Sequence, residues 1–209
     1  QGRTDLVAFG RQSLADPETP NKARDGKLEL MTPCIACLQG CVPNMFQGKP
    51  ITCLANPFLG REGELTMAKE SKSVLVIGGG LGGMQAAWVS ALRGHKVTLV
   101  EKSYTLGGQM RLAAYPPGKG DITNLVRNFI ARCDEYGVKV LLNTEATEEL
   151  VKEMNPDVCI VATGATPLVL PIPGINDVGV INAIDLLDGQ KACGTKVLVV
   201  GGGMVGAET

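Results

Sequence analysis

The sequence has few aromatic residues and almost no net charge. Aromatic side chains make up 4 % of the 209 residues, and 20 Lys and Arg stand against 21 Asp and Glu, which gives a net charge of −1. A chain without a basic excess offers no electrostatic field to a nucleic acid or an anionic membrane. Small molecules are therefore the expected partners, and neither a nucleic acid nor a membrane is expected.

The chain also lacks a clear membrane span. The longest run without charge, 73–92, has about the length of one span, but the glycines of 78–83 inside it would expose backbone to lipid. We therefore interpret this run as a strand, a loop and a helix.

Histidine is nearly absent, and this argues against hydrolytic chemistry. The single histidine, His95, follows Gly94 at a predicted helix-to-strand turn, and the surrounding sequence suggests no Ser-His-Asp or Cys-His arrangement. Redox chemistry carried by cofactors remains the expectation, and no catalytic residue is assigned.

Cysteine is present in an odd number, seven. No charged and then apolar N-terminal segment precedes them, so a secreted disulfide framework is not expected and a reducing cytoplasm fits better. The sequence begins with Gln1 and stops at Thr209 within a newly opened helix, and we expect it to be a piece of a longer protein.

Strand and helix patterns alternate through the middle of the chain, which predicts an α/β fold with a parallel sheet. The predicted strands are 74–77, 96–100, 138–142 and 158–162, and the predicted helices are 82–93 and 121–136. Prolines at 167, 171 and 173 indicate a linker, and 196–200 predicts a further strand that opens a second copy of the pattern.

The first part of the chain differs from this pattern. Apolar residues at 5–9 suggest one strand that leads to a turn at Gly10 and Arg11. The segment 32–61 has four prolines, four cysteines and little apolar periodicity, so regular structure should be sparse there. Something other than a hydrophobic core must hold it together.

A glycine fingerprint, Gly78-x-Gly80-x-x-Gly83, lies between a predicted strand and a helix. The first glycine allows a tight turn, the second lets the backbone approach a pyrophosphate at the helix N-terminus, and the third permits close helix packing. Glu101 ends the next strand, where it can accept hydrogen bonds from a ribose hydroxyl. The pattern predicts dinucleotide binding, with a purely structural turn and a solvated acid as the alternatives.

The fingerprint is repeated near the end of the chain as Gly201-x-Gly203-x-x-Gly206. Two fingerprints suggest two dinucleotides. The residue that would meet the ribose at the second site lies beyond Thr209, so the choice between NADH and NADPH stays open.

Four cysteines fall within twenty residues, with the spacing Cys34-x2-Cys37-x3-Cys41-x11-Cys53. Clustered thiolates in a segment without apolar pattern are typical of a metal-held loop. From the spacing, an iron–sulfur cubane, a zinc ion and unligated or disulfide-bonded cysteines all remain open. The other three cysteines are expected on a helix, a buried strand and a turn as small structural residues: Cys133, Cys159 and Cys193.

Together these motifs resemble the iron–sulfur branch of the old yellow enzyme family, which includes 2,4-dienoyl-CoA reductase, 2-enoate reductase and trimethylamine dehydrogenase. The run 5–17 is similar to the last strand of the family's flavin-binding TIM barrel and the turn after it. The resemblance implies that Gly10 and Arg11 hold the FMN phosphate. Without the family, Arg11 can equally be read as a surface residue.

The resemblance implies a ligand set for each cofactor. The [4Fe-4S] cluster would be ligated by Cys34, Cys37, Cys41 and Cys53. The FAD site would comprise Gly78, Gly80, Leu81, Gly82, Gly83, Glu101, Gly108 and Gln109, with 162–164 closing this part of the domain. NADH or NADPH would bind at Gly201, Gly203 and Gly206.

The resemblance also implies four parts of the chain. They are the end of the flavin-binding barrel (1–31), the iron–sulfur segment and linker (32–70), an incomplete FAD-binding domain (71–170), and a linker with the start of the NAD(P)-binding domain (171–209). The remainder of the same polypeptide is the expected partner, with a homo-oligomer as a further option.

The implied activity is a relay from NAD(P)H through FAD and the cluster to FMN, which reduces an activated C=C bond of an enoate or dienoyl thioester. The isolated piece would be inactive, because the barrel with its substrate pocket is almost entirely absent. The alternative is a non-catalytic module that binds ADP or FAD and transfers electrons. A zinc-stabilised binding module is a third hypothesis.

Overall fold

The computed structural model describes residues 2–209 and has a four-stranded parallel sheet. The strands are β1 (Ser73–Ile77), β2 (Lys96–Val100), β3 (Lys139–Leu141) and β4 (Val158–Val161). Their order in the sheet is β3-β2-β1-β4, with Val74 paired to Val97 on one side and to Val158 on the other. The predicted α/β class with a parallel sheet is confirmed.

Eight α-helices accompany the sheet within the described residues. They are α1 (Arg11–Ala15), α2 (Thr19–Arg24), α3 (Val42–Phe46), α4 (Leu81–Leu92), α5 (Asp121–Glu135), α6 (Glu148–Met154), α7 (Ala183–Leu187) and α8 (Met204–Glu208). Short 3-10 turns occur at Leu28–Leu30, Glu62–Glu64, Gly108–Met110 and Leu112–Ala114.

The core lies between the sheet and helices α4 and α5. The central strand β1 buries Val76 completely, as expected of a strand flanked on both sides by parallel neighbours. Small residues such as Ala87 let α4 pack closely against the sheet, and Leu125 and Phe129 fill the space beneath α5. The predicted helices 82–93 and 121–136 therefore match α4 and α5 to within one residue at each end.

Two predicted strands do not form in the described residues. The segments 5–9 and 196–200 contain no strand, and Leu6 and Leu198 are 89 % and 87 % exposed. A strand requires a neighbour to pair its N–H and C=O groups, and no segment of 2–209 pairs with either of them. Strand β4 also differs from expectation, because Cys159 on it is exposed, not buried.

The cysteine segment 32–61 has little regular structure, as predicted. Its only α-helix within the described residues is α3. Ile35 and Ala55 are nevertheless buried in the same core as Trp88 of α4. The segment thus packs against the nucleotide-binding fold through Ile35 and Ala55, which lie on either side of α3 in the chain.

Residues 2–209 include no helix that is both long and apolar enough to cross a membrane.

Candidate functional site

The first glycine loop has the backbone geometry that its pattern predicts. Gly78 follows β1 with φ at +108°, a conformation that side-chain-bearing residues rarely adopt. A Cβ at Gly78 would overlap the carbonyl oxygen of Ala162, and a Cβ at Gly83 would overlap the carbonyl oxygen of Gly78. The loop is therefore pressed between the end of β4 and the first turn of α4, and only glycine fits at these two positions.

Helix α4 directs its unpaired N–H groups into open space. Gly80 is its N-cap, and no side chain among residues 2–209 caps the helix there. A Cβ built at Gly80 or Gly82 would have open space around it, and Gly82 is exposed while Leu81 is half-buried. The first turn of the helix can therefore receive an anion, and the open backbone fits the pyrophosphate of a dinucleotide.

Glu101 follows β2 and connects it to the glycine loop. Its Oε2 accepts a hydrogen bond of 2.6 Å from the Gly79 N–H, and its Oε1 accepts one of 2.8 Å from the Ser103 N–H. Partial burial raises the pKa of this carboxyl, but the two backbone donors outweigh it and hold the pKa below its usual value. Glu101 is therefore ionised at neutral pH and keeps lone pairs for ribose hydroxyls.

The segment that begins at Gly107 lies against the same loop. The Gly107 N–H donates to the carbonyl of Gly79 at 2.8 Å, and a Cβ at Gly108 would come within 3.2 Å of the Gly80 Cα atom. The side-chain amide of Gln109 donates to the carbonyl of Ala165 at 2.7 Å. The structure thus brings the predicted FAD residues to one end of the sheet.

Gly79 was missed by the sequence interpretation. It stands within a run of three glycines, and that run is the signal that could have identified it. A Cβ at Gly79 would overlap Leu106 and lie 3.1 Å from Oε2 of Glu101. Because its N–H binds Glu101 and its carbonyl binds Gly107, this residue connects the two sides of the site.

The second glycine loop repeats the backbone of the first. Gly201 has φ at +113°, and Gly203, the N-cap of α8, has φ −74° and ψ −177°, against −71° and 177° at Gly80. A Cβ at Gly206 would overlap the carbonyl oxygen of Gly201. The residues present therefore fit a second dinucleotide pyrophosphate.

Two ion pairs join the second loop and its linker to the 107–120 segment. Nη2 of Arg111 lies 3.4 Å from Oδ1 of Asp188, and the ammonium group of Lys119 pairs with the carboxylate of Glu208 in α8. One connecting segment therefore contacts both glycine loops, at Gly79 on one side and at α8 on the other.

The four clustered cysteines line one pocket. Cys34, Cys37, Cys41 and Cys53 are all half-buried and carry free thiols. The donor set fits a metal centre in its chemistry, because four thiolates suit zinc or an iron–sulfur cluster.

The loop around Cys37 has a strained backbone. Ala36 and Leu38, on either side of it, have φ of +52° and +56°, which costs free energy for residues with a Cβ. Gly40 allows a close turn, because a Cβ there would overlap Thr52, whose N–H donates to the Gly40 carbonyl at 3.0 Å. Such strain persists only where surrounding interactions hold it, and a cluster bound to Cys37 would supply them.

The spread of the thiols is relevant to the kind of metal. Within 2–209, no three His, Cys, Asp or Glu side chains come close enough together to hold a single metal ion. Four ligands of one zinc ion surround one point, whereas the four ligands of a cubane bind four different irons and stand further apart. The two kinds of centre therefore require different spacings of the four thiols, and the donor set is compatible with both.

Gly10 and Arg11 stand apart from the glycine loops. Both are exposed, and Arg11 contributes to the wall of the cysteine pocket. One guanidinium and one glycine are a small part of what a flavin phosphate requires, so the described residues do not by themselves form an FMN site.

Cys133 and His95 make structural contacts, whereas Cys159 and Cys193 are exposed. Burial raises the pKa of the Cys133 thiol to about 12, so it is unreactive at neutral pH. His95 accepts a hydrogen bond of 3.2 Å at Nδ1 from the Lys72 N–H, at the start of the sheet and away from the glycine loops.

The comparisons with known proteins identify the class. The family model described as pyridine nucleotide-disulphide oxidoreductase matches residues 72–209. The chain belongs to this family, whose glycine loops bind the dinucleotides of redox enzymes.

Two curated proteins that match the whole chain are reductases. The chain is 44 % identical to a metal reductase of Desulforamulus reducens and 42 % identical to a cinnamate reductase of Clostridium sporogenes, with all of this chain covered in both cases. It covers 32 % and 31 % of those proteins, so it spans about a third of the length of the curated relatives it matches.

A solved structure gives the same result. A 2-naphthoyl-CoA reductase in complex with 2-naphthoyl-CoA matches with a TM-score of 0.95 and 37 % identity, over 99 % of this chain and 32 % of that one. The resemblance to the 2,4-dienoyl-CoA and 2-enoate reductases is confirmed.

Proposed function

We propose that this chain is the electron-input part of an NAD(P)H-dependent flavin and iron–sulfur oxidoreductase that reduces an activated C=C bond. One observation carries the proposal: a dinucleotide loop completed by Glu101 and a pocket of four free thiols are packed on the same core. The names of two relatives, a cinnamate reductase and a 2-naphthoyl-CoA reductase, support unsaturated acids or thioesters as the substrate class.

We assign the two glycine loops to FAD and NAD(P)H. The N–H groups at the start of α4 would bind the FAD pyrophosphate, and Glu101 would orient the ribose through the oxygens that Gly79 and Ser103 already fix. The matching backbone at Gly201 would bind the nicotinamide dinucleotide.

We assign the cysteine pocket to a [4Fe-4S] cluster and the turn at Gly10 and Arg11 to the phosphate of FMN, the rest of whose site would lie outside 1–209. Bound together, these groups would supply hydride and single-electron transfer in the order NAD(P)H, FAD, cluster and FMN. The contribution of this chain is to fix their spacing, because Ile35 and Ala55 fasten the cysteine segment to the nucleotide-binding core.

The assignments correspond to four parts of the chain. We propose the end of a flavin-binding barrel (1–31), the cluster segment with its linker (32–70), the FAD-binding part (71–170) and the beginning of the NAD(P)-binding part (171–209).

The proposal is tested by measuring iron, zinc, acid-labile sulfide and released flavin on protein purified without oxygen. About four irons and four sulfides per chain with FAD are expected. Adenine nucleotide without flavin would instead favour the non-catalytic electron-transfer module. Stoichiometric zinc without sulfide would contradict the proposal and leave a nucleotide-binding fold with a structural metal.

A further inference from the structure

The side-chain amide of Gln12 joins three parts of the chain. Its Oε1 accepts a hydrogen bond of 2.9 Å from the backbone N–H of Cys34, and its Nε2 donates to the carbonyl of Thr32 and to Oγ1 of Thr19, both at 2.9 Å. Three bonds in three directions fix the amide plane, so Gln12 holds the backbone of Cys34 in one position relative to Thr32.

Thr32 is itself held firmly. It is 4 % exposed, and its N–H donates to Oδ2 of the buried Asp16 at 2.8 Å. Its Oγ1 accepts a hydrogen bond of 2.5 Å from Arg132 of α5. The residue to which Gln12 binds is therefore part of a buried polar network.

Helix α5 anchors this network to the nucleotide-binding fold. Arg132 also donates to the carbonyl of Leu30 at 3.2 Å and lies 4.7 Å above the ring of Trp88. Asn128, which is 3 % exposed, donates to the carbonyl of Glu29 at 2.7 Å. The strap 29–32, defined by these residues, is thus held along α5 by several side chains.

We propose that Gln12 is a positioning residue for the metal cluster: it transmits the position of α5, through the strap 29–32, to the first cysteine ligand, Cys34. This inference rests on the proposed [4Fe-4S] cluster. Its physical basis is that groups which orient metal ligands raise the retention of the metal, and their loss typically costs about 10–100-fold in affinity.

The test compares Gln12→Leu with Gln47→Leu in the full chain purified without oxygen. Gln47 lies in the same cysteine segment but is exposed, so the control makes the same chemical change without touching Cys34. The readouts are the rate of iron release to a chelator, the electron paramagnetic resonance spectrum of the reduced cluster, the FAD content and the thermal unfolding of the protein.

We expect Gln12→Leu to release iron about 10–100-fold faster than the wild type and to alter the spectrum, while FAD content stays unchanged and Gln47→Leu behaves as the wild type. Iron release at the wild-type rate would overturn the inference. So would loss of FAD in parallel with iron, because that result would indicate a general loss of structure.

A second variant separates the two functions of the amide. Gln12→Glu keeps an acceptor for the Cys34 N–H but turns a carboxylate oxygen toward the carbonyl of Thr32, so it breaks the link to the strap 29–32 and should release iron about as fast as Gln12→Leu. A Glu variant that retains iron like the wild type would contradict the role assigned to the strap. Wild-type protein without iron and sulfide would defeat the proposed function itself, an outcome visible before any variant is made.

Discussion

The N–H of Gly79 donates a hydrogen bond of 2.6 Å to Oε2 of Glu101, which ties the glycine loop after β1 to the end of β2. The same N–H cannot bind a phosphate, so anion binding is left to the next N–H groups, at the start of α4. Glu101 therefore acts on a dinucleotide in two ways, by fixing the loop and by offering free lone pairs to the ribose.

Replacing Glu101 should weaken the binding of FAD. In Glu101→Gln the carboxylate charge is lost, and hydrogen bonds to charged groups contribute about 1.5–3 kcal/mol, so the dissociation constant should rise roughly 10–100-fold. Titration of the flavin-free protein with FAD measures it, with Glu153→Gln on the exposed face of α6 as the control. Equal affinities for the two variants would contradict the role of Glu101.

The pH dependence of stability follows from the same carboxyl. Because the folded state holds the pKa of Glu101 below the ordinary value of 4.5, its contribution is complete above that pH and is lost as the pH falls through the folded pKa. Urea unfolding of wild type and Glu101→Gln should therefore give a difference in unfolding free energy that is constant near neutrality and shrinks below about pH 4.5. A difference that grows in acid would mean that folding raises the pKa of Glu101 instead of lowering it.

Two neighbouring glycines of α4 should respond oppositely to the same substitution. In Gly83→Ala the new Cβ would overlap the carbonyl oxygen of Gly78, and such overpacking costs about 1–3 kcal/mol of unfolding free energy. In Gly82→Ala the Cβ meets open space, and alanine stabilises the helix by about 0.5–1 kcal/mol. Denaturant unfolding of the flavin-free variants measures both, and equal effects would mean that the loop moves freely away from α4.

Removing one cysteine should release the metal without unfolding the nucleotide-binding fold. Cys37→Ser is expected to lose most of the iron and sulfide and to make 32–61 more sensitive to protease, since the strained backbone at Ala36 and Leu38 would lose its support. FAD content should be retained. Cys193→Ser, at an exposed position, is the control, and a segment as resistant as before would count against a metal-held loop.

Arg132 should be important for stability because its charged side chain is largely buried against its partners. It stacks on Trp88 and binds the strap 29–32, so Arg132→Met leaves buried acceptors without a donor and should lower the unfolding free energy by about 1.5–3 kcal/mol. Arg127→Met, on the exposed face of the same helix, should change it by less than about 0.5 kcal/mol. Denaturant unfolding of the two variants decides, and similar losses would indicate only reduced helix propensity.

Local patterns account for the nucleotide-binding part of the fold. Short β-branched runs, glycines that require positive φ and an amphipathic helical period are all local, so strands β1 and β2 and helices α4 and α5 could be predicted closely. The strands predicted at 5–9 and 196–200 were wrong because a strand is not a purely local structure. It needs a neighbouring strand to pair its N–H and C=O groups, and no local pattern supplies one.

By itself, the sequence determined the class of fold, the two glycine loops and the spacing of the four cysteines, because these depend on residue type and short-range conformation. Only the tertiary structure decided that Gly79 binds Glu101 and that Gln12 holds Cys34 to a strap on α5. In each of these two contacts the residues are 22 positions apart in the chain. The residues of α5 that bind the strap lie about a hundred positions after it. Their geometry exists only after the sheet, the helices and the cysteine segment have packed on one core.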